Sequence, residues 1–114
     1  MSNSAFQDIQ LGQHKVGPSH PPLIIAELSG NHDQSLDKAL AMIDAAAAAG
    51  AQAIKLQTYT ADTMTLDIDT GEFYIEDKNS LWHGTTLYKL YQIAYTPWDW
   101  HQAIFERAKS HGIT

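Results

Sequence analysis

Apolar positions along this chain alternate between short unbroken runs and stretches of helical periodicity, and that alternation predicts a β/α order. Residues 9–16 alternate imperfectly about Gly12, which predicts a short hairpin. Residues 17–22 form a stiff connector, because Pro18, Pro21 and Pro22 fix φ and hold their neighbours extended. Residues 23–28 are apolar nearly throughout, as a parallel strand covered on both faces requires. A turn-rich segment at 29–34 leads into a helix ending at Ala49. Ser35 suits its N-cap, and Leu36, Leu40, Ile43, Ala46 and Ala47 share one face. Gly50 can end that helix, and a second strand over residues 53–57 follows almost at once.

The segment 60–80 is rich in Asp, Glu and Thr. It is long for a βα loop, where about 2–6 residues is usual, and loops of that length are often functional. Residues 81–94 predict a short helix over part of their length. Thr96-Pro97-Trp98-Asp99 predicts a helix start, with Thr96 as cap and Pro97 in the first helical position, continuing through Ala108. Gly112 repeats the role of Gly50, and Ile113-Thr114 should open a third strand. The order predicts an α/β fold: the N-terminal portion of a (β/α)₈ TIM barrel preceded by a short β-hairpin. The barrel is expected to be incomplete, since a full one takes about 250 residues. Residues 1–22 are read as tail and hairpin, and residues 23–114 as the first two βα units.

Composition narrows the function classes. The formal net charge of −6 with no basic block disfavours nucleic-acid binding. Cysteine is absent, so disulfides and Cys-based metal sites are excluded. No apolar run approaches the roughly 18 residues of a membrane span. The first ten residues lack the basic-then-apolar layout of a signal peptide. A cytoplasmic protein is the expectation.

Each predicted strand ends in groups that a core strand does not need. Glu27 closes the first apolar run, and a carboxylate there requires a partner. Lys55 lies between Ile54 and Leu56, so it faces away from the helical layer if they face toward it. Gln57 shares the face of Lys55. Strand C-terminal ends are where β/α folds place binding and chemistry, so the three residues outline a site for an anion. The alternatives are a Glu27 that merely caps a strand and a Lys55 that merely pairs with it. Asn31 and His32 follow in the first loop. A lone loop histidine is more often structural than a ligand, and His83 and His101 have no neighbour at metal-ligand spacing. Trp82, Trp98 and Trp100 suit either core packing or a sugar pocket.

The sequences Ile24-Ile25-Ala26-Glu27, Gly30-Asn31-His32, Ala49-Gly50-Ala51 and Lys55-Leu56-Gln57-Thr58 together resemble the start of the sialic-acid synthase family. Lys55 to Thr65, Ser80-Leu81-Trp82 and Tyr95 to His101 are most similar to its pseudaminic branch. The resemblance implies a TIM-barrel transferase joining phosphoenolpyruvate to an N-acetylated amino sugar, in that branch a 2,4-diacetamido-2,4,6-trideoxy-altrose. It implies Glu27 as the catalytic carboxylate and Lys55 and Gln57 as phosphoenolpyruvate ligands. Asn31, His32, Thr58 and Tyr59 would be further substrate-binding residues. It also implies a homodimer and a divalent metal (Mn, Mg or Co) with ligands outside this chain. With most of the expected shell missing, the 114-residue polypeptide alone is expected to show no synthase turnover.

Overall fold

The fold is built where Leu28, Ile43 and Ile104 meet. The computed structural model describes residues 6–114, and the expected loose terminus at residues 1–5 lies outside them. Strands β1 (Ile9–Leu11) and β2 (His14–Val16) form the predicted antiparallel hairpin. Strand β3 (Ile25–Leu28) pairs in parallel with β4 (Ala53–Leu56), matching Glu27 to Lys55 in register. Helix α1 (Leu36–Ala48) makes the crossover between them. After β4 come the single turn α2 (Ala61–Met64), α3 (Leu87–Ala94) and α4 (His101–Ser110).

Strand alternation sorts the side chains into two faces. Leu28, Ile54 and Leu56 point to the helical layer, where Leu28 joins Ala39 and Ile43 of α1 and Ile104 and Ala108 of α4 in the buried core. Ile43 is 0 % exposed and Ile104 1 %. Asp44 ties the two helices together at the surface, accepting from both the Arg107 guanidinium at 3.0 Å and His111 Nε2 at 2.6 Å. The opposite sheet face, with Ile25, Glu27 and Lys55, stands open. A radius of gyration of 18.1 Å, against about 13 Å for a compact 100-residue domain, reflects this openness.

The two helices stop alike. At the end of α1, Ala51 N–H reaches Ala46 O and Gly50 N–H reaches Ala47 O. Ile113 and Gly112 repeat the pattern on Ala108 and Lys109. Both are Schellman closures around a glycine at positive φ, and both turn the chain back onto the sheet. Thr114 then donates to Gln52 O, and Ile54 donates to Thr114 O, which is the bond pair of a parallel bridge to β4. The expected opening of a third strand is therefore present. The hairpin turn lies beneath it: a Cβ on Gly12 would fall 2.2 Å from Thr114 Oγ1.

Two local expectations differ from the structure. Thr96 does not cap a helix. Its N–H bonds to Gln57 O at 2.9 Å, which holds it fully buried at the end of β4, and Pro97 becomes the N-cap of a 3₁₀ turn, Trp98–Trp100, that precedes α4. The long loop is also more ordered than its composition suggests. Thr63 Oγ1 accepts from Thr60 N–H and closes the first turn of α2. Ile75 and Gly84 then bind back across the loop, beside an antiparallel bridge between Tyr74 and Thr86.

Because Ile43 sits at the centre of the only buried cluster between sheet and helices among the described residues, Ile43→Ala is expected to cost about 2–5 kcal/mol. Urea denaturation followed by far-UV circular dichroism measures it, and an unchanged midpoint contradicts this placement.

Candidate active site at the strand ends

Parallel pairing brings Glu27 and Lys55 side by side on the open face, with Lys55 Nζ 2.8 Å from Glu27 Oε1. Their side chains are 55 % and 62 % exposed, so as a stability device the pair counts for little. Its chemical effect is larger. The ammonium bonds to the Glu27 carboxyl and holds it below the usual carboxylate range, so the group is an acceptor at neutral pH. Gln57 follows two residues after Lys55 on the same face. Its side chain lines a cavity of about 290 Å³ at the C-terminal ends of β3 and β4, shared with Asn31, Tyr59, Trp82 and Tyr91.

Three of the residues implicated by resemblance, Gln57, Asn31 and Tyr59, therefore line one cavity, while Glu27 and Lys55 stand on the neighbouring strands outside its lining. The Tyr59 ring packs edge-on against Tyr91 at 5.5 Å, and burial pushes its phenol pKa up, so it remains a neutral hydroxyl.

Two others point elsewhere. Thr58 belongs to the face of Leu56, and its hydroxyl meets His101 Nε2 at 2.6 Å. It also lines, with Ile25, Lys55 and His101, a cavity of about 480 Å³ along β4. His32 is 0 % exposed and packs edge-on against Trp100 at 5.0 Å. Its Nδ1 accepts from Gln34 N–H, which leaves the ring proton on Nε2. Trp100 and the Gln34 N–H are contacts that this ring makes.

That enclosure joins the two loops that carry the site. Gln34 Nε2 donates to the carbonyls of Ile93 and Tyr95 at the end of α3. Gly30 approaches Ala94 so closely that a Cβ on it would lie 2.7 Å from the alanine Cβ. Asp33 and Gln34 both take positive φ to make the turn. The sequence signal for this clasp was the glycine beside two amide residues, Gly30, Asn31 and Gln34. Its partner on α3 is too distant in the chain to be read from the sequence.

The pair of parallel strands with polar groups at its C-terminal edge defines a β/α protein, a class that uses this edge for binding. The NeuB family model matches residues 42–114. The chain belongs to the NeuB family. It is 54 % identical over 90 residues to the pseudaminic acid synthase of Campylobacter jejuni serotype O:2, covering 79 % of this chain and 26 % of that protein. To the pseudaminic acid synthase of Helicobacter pylori it is 46 % identical over 89 residues, covering 78 % and 26 %. To the N,N'-diacetyllegionaminic acid synthase of Legionella pneumophila it is 33 % identical over 98 residues, covering 85 % and 27 %. The chain thus spans about a quarter of the length of these curated relatives. Among solved structures, the N-acetylneuraminic acid synthetase of Leptospira borgpetersenii superposes with a TM-score of 0.69 at 33 % identity, over 95 % of this chain and 32 % of that one.

The burial of His32 has a pH consequence. Burial pulls its pKa below the ordinary 6.5, opposed by the Tyr95 carbonyl and the Asp33 carboxylate. The unfolded chain then binds the extra proton first, so stability falls as pH drops below about 6.5. Thermal melts from pH 7.5 to 5 should show this slope, at most about 1.4 kcal/mol per pH unit from one proton. His32→Gln should flatten it; an equal slope in the variant contradicts the assignment.

Proposed function

We propose that this chain forms the N-terminal part of a nonulosonic acid synthase of the TIM-barrel type. The reaction condenses phosphoenolpyruvate with 2,4-diacetamido-2,4,6-trideoxy-altrose to give a nine-carbon sugar acid and phosphate. The observation that carries this reading is the in-register Glu27–Lys55 pair at the strand ends, with Gln57 next on the same face. The 54 % identity to a pseudaminic acid synthase supports the choice of sugar over that of the legionaminic relative at 33 %.

In this reading the enol carbon of phosphoenolpyruvate bonds to the aldehyde carbon of the open-chain sugar. Water adds to the cationic carbon that remains, and cleavage of the carbon–oxygen bond in the tetrahedral product releases phosphate. Lys55 provides a point charge for the anionic co-substrate and Gln57 an amide donor beside it. Glu27 accepts the proton of the attacking water. The resting ion pair links binding to this step. An anion that draws Lys55 away removes the group that depresses the Glu27 pKa, and the carboxylate becomes a stronger base.

A divalent cation accompanies the family resemblance, but the residues here do not by themselves fit one. Among the described residues no three His, Asp or Glu side chains converge, and Glu27 is engaged by Lys55. No helix among them is long and apolar enough to cross a membrane.

The test joins this chain to the rest of the C. jejuni relative in place of the segment it matches, as a covalent chimera or as two co-expressed pieces. Phosphate release dependent on both substrates is the expected outcome; a folded assembly without turnover overturns the proposal. In the active assembly Glu27→Gln should lower kcat by about 100-fold or more. Lys55→Ala should weaken phosphoenolpyruvate binding, read by calorimetry. Full turnover by the Glu27→Gln variant overturns the role given to Glu27, and an assembly that binds phosphoenolpyruvate without turnover leaves only a non-catalytic anion-binding module.

A further inference from the structure

The cavity beyond Gln57 has two kinds of wall. Its lining includes the amide residues Gln57 and Asn31 and the apolar and aromatic residues Leu81, Trp82, Tyr59 and Tyr91. Trp82 enters from the long loop, not from a strand. The loop is anchored for this purpose: Ile75 N–H bonds to Thr85 O, Gly84 N–H to Ile75 O, and Trp82 N–H to Ser80 Oγ at 3.1 Å. Leu81 beside it is 97 % exposed, an apolar side chain with no protein partner at the rim of the cavity.

We infer that Trp82, which lines this cavity together with Gln57 and Asn31, is a specificity-determining residue whose indole receives an acetamido substituent of the sugar. The inference rests on the synthase reading above and deepens it. An acetamido group is flat, with a methyl at one end and an N–H and C=O at the other. The methyl is matched by indole and leucine surface, and the amide by two carboxamides that can each donate and accept. A hydroxyl in the same place would leave the aromatic surface unfilled and an amide without its partner, which is how such sites discriminate. Position adds to composition. Gln57 lies two residues after Lys55 in the chain, just past the end of β4, so the cavity opens close to the Glu27–Lys55 pair. Two relatives carry the matching chemistry in their names, an N,N'-diacetyllegionaminic and an N-acetylneuraminic acid synthase.

The experiment uses the active assembly described above. Its sugars are the diacetamido sugar and the two analogues in which one or the other acetamido group is replaced by hydroxyl. The parent should discriminate against one analogue. Trp82→Ala should raise KM for the diacetamido sugar about tenfold and abolish that discrimination, while KM for phosphoenolpyruvate stays within about twofold. Trp82→Phe, which keeps an aromatic face, should restore most of the preference and shows that the loop still folds. Unchanged sugar KM and discrimination in Trp82→Ala overturn the inference and leave the synthase reading standing. Equal losses toward both analogues and phosphoenolpyruvate also overturn it, since they describe a general structural role. A folded parent assembly without turnover overturns the synthase reading and this inference together.

Discussion

Two parallel strands cannot be joined by a tight turn; the chain must cross the sheet and return, and a helix is the usual way to do so. Here that crossover is α1, and its Ser35 start and Gly50 stop fix where β4 begins. Once Ala53 lies beside Ile25, alternation leaves no freedom: Glu27 falls next to Lys55 and both face away from the helices. A slip of one residue would turn Lys55 into the layer of Ile43 and Ile104. Register, set by the hydrophobic pattern, is therefore also what assembles the charged pair.

The strands bring the charged pair together, but the loops define the space above it. The first loop is clasped to the end of α3 by Gln34 and by the close approach of Gly30 to Ala94. The second loop contains its own bridge between Tyr74 and Thr86. His32 belongs to this scaffold. It packs against Trp100, and burial lowers its pKa, so the ring stays neutral between the two loops.

Much of this was legible in the chain. The apolar run before Glu27, the flanking of Lys55 by Ile54 and Leu56 and the Ser35–Gly50 helix frame are local signals, and local signals fix strand faces and helix ends. The bond between the Thr58 hydroxyl and His101 was not legible, because the two residues are far apart in the chain. His32 was not legible, because its burial depends on Trp100 and Tyr95, far along the sequence. Thr96 failed as a cap for a similar reason: its N–H is taken by the end of a strand that the cap pattern does not mention. The Thr60–Thr63 pairing that starts α2 was present in the sequence, hidden by the acidic, turn-like composition around it.

The hairpin beneath the sheet has a consequence for synthesis. Gly12 leaves, by lacking a side chain, the room that Thr114 occupies. Residues 9–16 leave the ribosome long before Thr114 is made, and N-terminal units can order first during translation. The floor on which a later strand is seated would then be waiting for it, so that a bulky residue at position 12 would do its damage to a part of the protein not yet synthesised when the turn forms.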